Sequence, residues 1–161
     1  MIHESAIIDP SAKIADDVEI GAYSIIDKNV CISEGTVIKE NAVIRENTTI
    51  GKNNLIYQFA TIGEKPQDLK FRNETTTCTI GDNNTFREYC SIHRGTSDGI
   101  SDTNIGNGNL FMAYTHVAHD CLIKNNCILS NGASLAGHVN LESFVSLGGF
   151  TIMIRHFLYY M

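Results

Sequence analysis

Two histidines, an aspartate and a cysteine lie within six residues, from His116 to Cys121, in the segment THVAHDC. These residue types fit three chemistries. Histidines with a neighbouring carboxylate can ligate zinc, a histidine base with a backbone donor can catalyse acyl transfer, and a thiol can act as a nucleophile. The choice depends on which of these side chains point outward, and therefore on the structural elements that position them.

An isoleucine repeats every six residues through the first part of the chain. It occupies position 2 and every sixth position up to 62, and a generally smaller side chain stands two positions before it. An α-helix would scatter these positions around its surface, whereas a six-residue period fits one short strand followed by one turn. We predict an all-β fold, a parallel β-helix of three flat faces with 18 residues per coil.

Two segments interrupt this period, and we predict that both are extruded loops. They are residues 63–73 and the segment GTSDGISDTN at 95–104. The period resumes after each loop and holds to Met153, which gives 23 hexads, about seven and a half coils, in a single domain over residues 1–161. Four cysteines should be small buried residues in these coils: Cys78, Cys90, Cys121 and Cys127.

Stacking of successive coils predicts which residues meet in space. With 18 residues per coil, His119 should lie beneath Gly137 and Asp120 beneath His138. His119 and Asp120 both follow the strand that contains Val117, and we expect their side chains to be exposed.

Four of the six histidines should share one strip of one face. His93 belongs to this strip because its position falls below Ala118 across the second loop, and we place His116 at the adjacent corner. Cys121 points inward in the same register, so a nucleophilic cysteine is the least favoured of the three chemistries. The complete strip is His93, His116, His119 and His138.

The composition narrows the possible partners. The net charge is −6 and only 19% of residues are charged, which argues against a nucleic-acid partner because that role needs a basic face. No apolar run approaches the ~20 residues of a membrane span, and no signal peptide is visible. Five cysteines without a CxxC pattern suit a reducing compartment, so we expect a cytoplasmic protein.

The motifs IYQFATIGEKPQDLKF, SIHRGT, THVAHDC and LAGHV occur in this order on the hexapeptide repeat. This combination resembles the UDP-N-acetylglucosamine O-acyltransferases of lipid A biosynthesis. The resemblance implies a left-handed β-helix, a homotrimer with sites between subunits, and transfer of an (R)-3-hydroxyacyl group from acyl carrier protein to the sugar 3-hydroxyl. It implies no metal and no organic cofactor beyond the phosphopantetheine thioester of the carrier.

The same resemblance implies roles for nine residues. His119 corresponds to the general base, Asp120 to the acid that orients or polarises it, and Gly137 to a backbone N–H donor for the oxyanion. Adjacent strand residues point in opposite directions, so direct pairing of His119 with Asp120 is left open. The implied substrate-binding residues are Gln67, Asp68, Lys70, His93, His116 and His138.

The resemblance is incomplete near the end of the chain. It predicts a histidine directly after Met153, whereas this sequence has Ile154 there and His156 two residues later. The family continues with further coils and a helical C-terminal domain, which would contain the phosphate contacts and the determinant of acyl length. We therefore expect a shortened enzyme with weak or no activity, ending in the apolar segment FLYYM.

Two other functions remain open from the residues alone. One is a γ-carbonic-anhydrase-like metal hydratase on the same prism, which needs three zinc-binding histidines with the last two five residues apart. The close pair in this chain, His116 and His119, is three apart. The other is an inactive scaffold that only trimerises.

Overall fold

The computed structural model describes residues 1–154, and the predictions for His156 and the segment FLYYM lie outside them. Within these residues the regular structure is 22 short strands. In chain order they are β1 (Ile7–Ile8), β2 (Lys13–Ile14), β3 (Glu19–Ile20), β4 (Ile25–Ile26), β5 (Cys31–Ile32), β6 (Val37–Ile38), β7 (Val43–Ile44), β8 (Thr48–Ile50), β9 (Leu55–Ile56), β10 (Thr61–Glu64), β11 (Thr77–Ile80), β12 (Thr85–Phe86), β13 (Ser91–His93), β14 (Asp102–Ile105), β15 (Leu110–Phe111), β16 (His116–Val117), β17 (Leu122–Ile123), β18 (Ile128–Leu129), β19 (Ser134–Leu135), β20 (Asn140–Leu141), β21 (Ser146–Leu147) and β22 (Ile152–Met153).

The strands form three parallel sheets in which each strand pairs with the third strand before and after it. The first sheet has the order β1-β4-β7-β10-β13-β16-β19-β22, the second runs from β2 to β20, and the third from β3 to β21. Ile7 pairs with Ile25, so a coil without a loop has the predicted length. Ile2 adds an isolated bridge to Ile20, and with the 22 strands it accounts for the 23 predicted hexads.

The repeated isoleucines fill the interior of the prism. From Ile20 to Ile62, all eight are at most 3% exposed. Ile2, in the first of the described coils, is 48% exposed. Alternate residues of a strand face opposite sides, so one residue of each short strand enters the core while its neighbour faces outward. Burial of each isoleucine contributes about 1.5–3 kcal/mol, and stacking repeats this contribution at every hexad.

The turns between strands require a left-handed residue at the same position of successive hexads. Residues 23, 29, 35, 41, 47 and 53 all have φ between 53° and 70°. Four of these six are asparagine and one is glycine, the residue types that adopt this conformation at least cost. Further along the chain the same turn position is occupied by Asp120 and His138, with φ of 58° and 64°.

A ladder of buried asparagines runs through successive coils at the corner before the third sheet. The Oδ1 atom of Asn54 accepts hydrogen bonds from N and Nδ2 of Asn84, at 2.9 and 3.0 Å. Asn84 Oδ1 accepts the same two bonds from Asn109, and Asn109 Oδ1 accepts one from Cys127 N at 2.7 Å. Each side chain thus satisfies polar groups that would otherwise be buried without partners.

Loop 1, residues 65–76, connects β10 to β11. The predicted bounds were 63–73, but Gly63 and Glu64 continue β10 and the loop extends to residue 76. The loop adds residues to its coil. Thr61 therefore pairs with Ser91, which lies further along the chain than the partner of a residue in a regular coil.

Loop 2, residues 94–101, connects β13 to β14. The predicted loop of 95–104 was too long at its C-terminal end, because residues 102–104 belong to β14 and pair with β11. Thr103, two positions before Ile105, fills the interior slot for a smaller residue and is 0% exposed. That burial draws the segment back into the prism.

Candidate active site

His119 and Asp120 lie in the turn between β16 and β17. The side chain of His119 is 15% exposed and that of Asp120 is 0% exposed. The prediction that both would be exposed is therefore wrong for Asp120, which is buried, and His119 is half-buried. Loop 2 covers this carboxylate, and the left-handed backbone of Asp120 turns it toward the loop.

The Asp120 carboxylate accepts hydrogen bonds from two residues of loop 2. Thr96 donates its hydroxyl to Oδ2 at 2.6 Å and its backbone N–H to Oδ1 at 3.1 Å, and Ile100 N–H donates to Oδ1 at 2.9 Å. Burial alone would raise the pKa of Asp120, but the hydrogen bonds from Thr96 and His119 together outweigh it and hold the pKa below its ordinary value. Asp120 is therefore ionised at neutral pH.

His119 pairs directly with Asp120. Its Nδ1 lies 2.7 Å from Asp120 Oδ2. An ionised carboxylate can only accept, so Nδ1 carries the proton and donates it, which leaves the lone pair on Nε2. The pairing, left open in the sequence, forms because the two residues occupy a turn and not a strand.

Gly137 lies directly against the His119 ring in the next coil, as the predicted register requires. A Cβ atom at position 137 would stand 2.6 Å from Cε1 and 2.7 Å from Nε2 of His119. Only glycine leaves room for the imidazole at this place. Among residues 1–154 no backbone or side-chain acceptor takes the Gly137 N–H. Its role as an oxyanion donor stays a prediction that this geometry supports.

The four predicted histidines form two edge-to-face pairs. His93 and His116 have ring centroids 4.7 Å apart, and His119 and His138 have centroids 5.0 Å apart. His93 also lies close enough to His116 and His119 for their charges to lower its pKa. The predicted strip therefore exists in the folded chain.

His116 and His93 differ from expectation in their surroundings. His116 belongs to β16 on the flat first sheet, so its predicted position at a corner is wrong, and its Nδ1 lies 2.8 Å from Ser91 Oγ. His93 is 3% exposed, and its Nδ1 has no hydrogen-bond partner in the described part of the chain. Burial lowers the pKa of His93 to about 4, so it is neutral at physiological pH.

Three of the predicted substrate-binding residues belong to loop 1. Gln67 and Lys70 are exposed, and the carboxylate of half-buried Asp68 accepts the Lys70 N–H at 2.9 Å. Within residues 1–154 these three side chains make no hydrogen bond to the strip. Loop 1 instead contacts loop 2 through Glu74, which accepts hydrogen bonds from N and Oγ of Ser97 at 3.3 and 3.1 Å.

A zinc site is the main alternative use of these residues. His119, Asp120 and His138 have candidate ligand atoms within 4.8 Å of one another. Zinc needs lone pairs that point at the metal, whereas both Asp120 oxygens and His119 Nδ1 are engaged in the hydrogen bonds with each other and with loop 2. The arrangement favours an oriented base over a metal ligand set.

The thiol chemistry is also disfavoured. Cys121 is buried, as predicted, and its thiol donates to Ala136 O at 3.2 Å. Burial raises the pKa of Cys121 to about 12, so the thiolate is not available at neutral pH. The other three predicted core cysteines are buried too: Cys78, Cys90 and Cys127.

Known proteins share both the repeat and the sequence around this site. The family described as bacterial transferase hexapeptide (six repeats) matches residues 102–137. The acyl-[acyl-carrier-protein]--UDP-N-acetylglucosamine O-acyltransferase of Herminiimonas arsenicoxydans is 50% identical over 151 residues, which cover 94% of this chain and 58% of that protein. The resemblance to the UDP-N-acetylglucosamine O-acyltransferases is confirmed.

Solved structures of these acyltransferases superimpose closely on the chain. LpxA from Acinetobacter baumannii is 48% identical with a TM-score of 0.93, over 94% of this chain and 58% of that one. The UDP-N-acetylglucosamine O-acyltransferase (LpxA) from Moraxella catarrhalis is 49% identical with a TM-score of 0.93, over 94% and 59%. The predicted left-handed parallel β-helix is thereby confirmed. The chain spans about half the length of the curated relatives it matches.

Sequence reasoning missed the residues that hold Asp120 and His116 in place. Thr96 and Ile100 bind the Asp120 carboxylate, and Ser91 binds His116. Thr96 and Ile100 lie in a loop without periodicity, so no register could place them over Asp120. The motif SIHRGT, which contains Ser91 and ends at Thr96, was the only available signal.

Proposed function

We propose that this chain carries the catalytic base of an O-acyltransferase that moves an (R)-3-hydroxyacyl group from acyl carrier protein to the 3-hydroxyl of UDP-N-acetylglucosamine. One observation carries the proposal. The His119 ring is held through Nδ1 by an ionised carboxylate, and its basic Nε2 lies against Gly137, whose backbone N–H has no acceptor in residues 1–154.

This geometry can perform acyl transfer in two steps. His119 Nε2 takes the proton of the sugar 3-hydroxyl while its oxygen attacks the thioester carbonyl carbon. The negative charge moves to the carbonyl oxygen, where Gly137 N–H can donate to it. The carbon–sulfur bond then breaks, and protonated His119 returns the proton to the departing phosphopantetheine thiolate. An ester and a free thiol are formed without a metal or an oxidant.

We assign the sugar nucleotide to loop 1 and the histidine strip together. Lys70 offers an exposed cation for a phosphate, Gln67 and Asp68 offer polar groups for the sugar, and the neighbouring histidines offer further contacts. We propose that loop 1 of one copy and the histidine strip of a neighbouring copy contribute to the same site. Such a site fits a homotrimer with sites shared between neighbours. The remaining proposed substrate contacts are His93, His116 and His138.

We propose a cytoplasmic location on the basis of the thiols. All five cysteines are unpaired, and four of them are buried at separate positions of the prism. Free cysteines suit a reducing compartment. No helix in residues 1–154 has the length and hydrophobicity to span a bilayer.

Acyl transfer from hydroxyacyl-carrier protein to UDP-N-acetylglucosamine tests the function. The chain should be assayed alone and as a chimera with the C-terminal half of the Moraxella catarrhalis relative, with mass spectrometry detecting the acylated sugar nucleotide. His119→Ala should lower the rate by roughly 10²- to 10⁴-fold, the usual contribution of a general base. His3→Ala, which changes an exposed histidine far from the strip, is the matched control.

Folding must be checked in the same samples. The unfolding midpoint of His119→Ala should stay close to that of the parent, because the side chain lies outside the apolar core and the Asp120 carboxylate keeps its hydrogen bonds from Thr96 and Ile100. A folded, trimeric chimera that transfers no acyl group would overturn the proposal. Normal turnover by His119→Ala would overturn the role of this residue.

A further inference from the structure

Loop 2 forms a compact cradle for one carboxylate. Thr96 lies at its centre, because its N–H and hydroxyl both donate to Asp120 while its carbonyl accepts the N–H groups of Gly99 and Ser101, each at 3.1 Å. Ile100 N–H completes the cradle at 2.9 Å from Asp120 Oδ1. Thr96 therefore makes both the hydrogen bonds within loop 2 and the hydrogen bonds from loop 2 to Asp120.

The prism does not need this loop for its own stacking. A regular coil brings Ile7 beside Ile25, whereas Ser91 pairs with His116, which lies further along the chain than one regular coil would reach. The additional residues pack over Asp120. A Cβ atom on Gly99 would overlap the carboxylate atoms Cγ, Oδ1 and Oδ2, so this position has no room for a side chain while Asp120 is in place. Shape and hydrogen bonding therefore both fit the loop to the carboxylate.

We propose that Thr96 is a positioning residue for the base, and that its hydroxyl and amide hold the Asp120 carboxylate where its Oδ2 accepts a hydrogen bond from Nδ1 of His119. This contact fixes the His119 tautomer and leaves Nε2 as the basic nitrogen. The catalytic consequence rests on the proposed function, whereas the tautomer itself does not.

The other titratable groups around the pair do not replace this contact. The rings of His138 and His119 lie edge to face on neighbouring coils, His93 lies on the coil below, and His116 precedes His119 on the same coil. The Cys121 thiol is next to Asp120, but burial raises its pKa and keeps it neutral. In residues 1–154 the hydrogen-bond partner of His119 Nδ1 is Asp120.

Nitrogen NMR of the histidine-labelled chain tests the proposal without any activity measurement. The imidazole nitrogen shifts report which nitrogen is protonated, and the parent chain should show His119 as a single Nδ1–H tautomer. Thr96→Val should give a mixture, because a methyl group in place of the hydroxyl, 2.6 Å from Asp120 Oδ2, displaces the carboxylate. Thr96→Ala removes the hydroxyl without that clash and gives a second reading if the valine variant fails to fold.

Two further variants separate positioning from general damage to the loop. Thr96→Ser keeps the hydroxyl and should restore the single tautomer. Ser97→Ala is the matched control, since Ser97 bonds to Glu74 and not to Asp120. In the form of the protein that transfers acyl groups, the valine and alanine variants should lose about 10- to 100-fold in kcat, with KM for the sugar nucleotide within about twofold of the parent.

The outcomes distinguish this proposal from the proposed function. A single Nδ1–H tautomer with parental kcat in both Thr96→Val and Thr96→Ala would overturn the positioning role. Mixed tautomers in those variants, rescued by Thr96→Ser, support it even where the parent protein transfers no acyl group. That last result would remove the proposed function and leave the positioning role in place.

Discussion

Replacement of Gly137 by alanine should lower the rate of acyl transfer by displacing the His119 ring, while the fold stays intact. The new Cβ atom would lie 2.6 Å from His119 Cε1 and 2.7 Å from Nε2, whereas ordinary contacts begin at 3.4 Å, so the ring must move by about 0.8 Å. A misplacement of about 1 Å can cost 10²-fold in rate, which corresponds to about 2.7 kcal/mol on the activation barrier. Alanine keeps the backbone N–H, so the loss reports displacement of His119 and not removal of the oxyanion donor.

The assay is acyl transfer under single-turnover conditions, together with thermal unfolding of each variant. The His119 ring is partly exposed and can swing outward, so we expect the free energy of unfolding to change by less than about 1 kcal/mol. Gly148→Ala is the matched control, because its nearest neighbour would be Thr151 Oγ1 at an ordinary 3.7 Å. If Gly137→Ala turned over within about threefold of Gly148→Ala, the inference that the catalytic ring rests on Gly137 would be refuted.

Three other predictions concern stability and assembly. Asn84→Ala should lower the free energy of unfolding in urea by roughly 3 kcal/mol, because it leaves the backbone N–H of Asn109 and the carbonyl oxygen of Gly106 without the side chain they bond to. An unchanged midpoint would contradict the ladder. The pKa of His93 is about 4 in the folded chain against 6.5 in the unfolded one, so protons bind the unfolded state first as the pH falls. The contribution of His93 to the free energy of unfolding should be fully present above pH 6.5 and fall by roughly 3 kcal/mol towards pH 4. In His93→Gln this pH dependence should be weaker, which thermal unfolding at both ends of the range measures. If the parent and His93→Gln lost the same stability at low pH, titratable groups other than His93 would be responsible. Sedimentation should give a mass three times 17.7 kDa, and a monomer would count against shared sites.

The sequence by itself determined the prism and much of the site. A six-residue period specifies one strand and one turn, and the length of the coil then follows from three faces. Simple counting therefore placed His119 beneath Gly137 and brought four histidines to one strip, because stacking in a solenoid is a one-dimensional relation between sequence positions. The four core cysteines followed from the same register.

The tertiary structure alone decided how His119 is held. Asp120 was expected to be exposed, but loop 2 buries it and supplies Thr96 and Ile100 as donors. The direct bond from His119 to Asp120 depends on a left-handed turn residue, which breaks the alternation of directions assumed for a strand. Loop 2 has no period, and its path is fixed by hydrogen bonds to a residue that lies beyond the next strands of the chain. Contacts of that kind are three-dimensional, so no pattern within the loop could have predicted them.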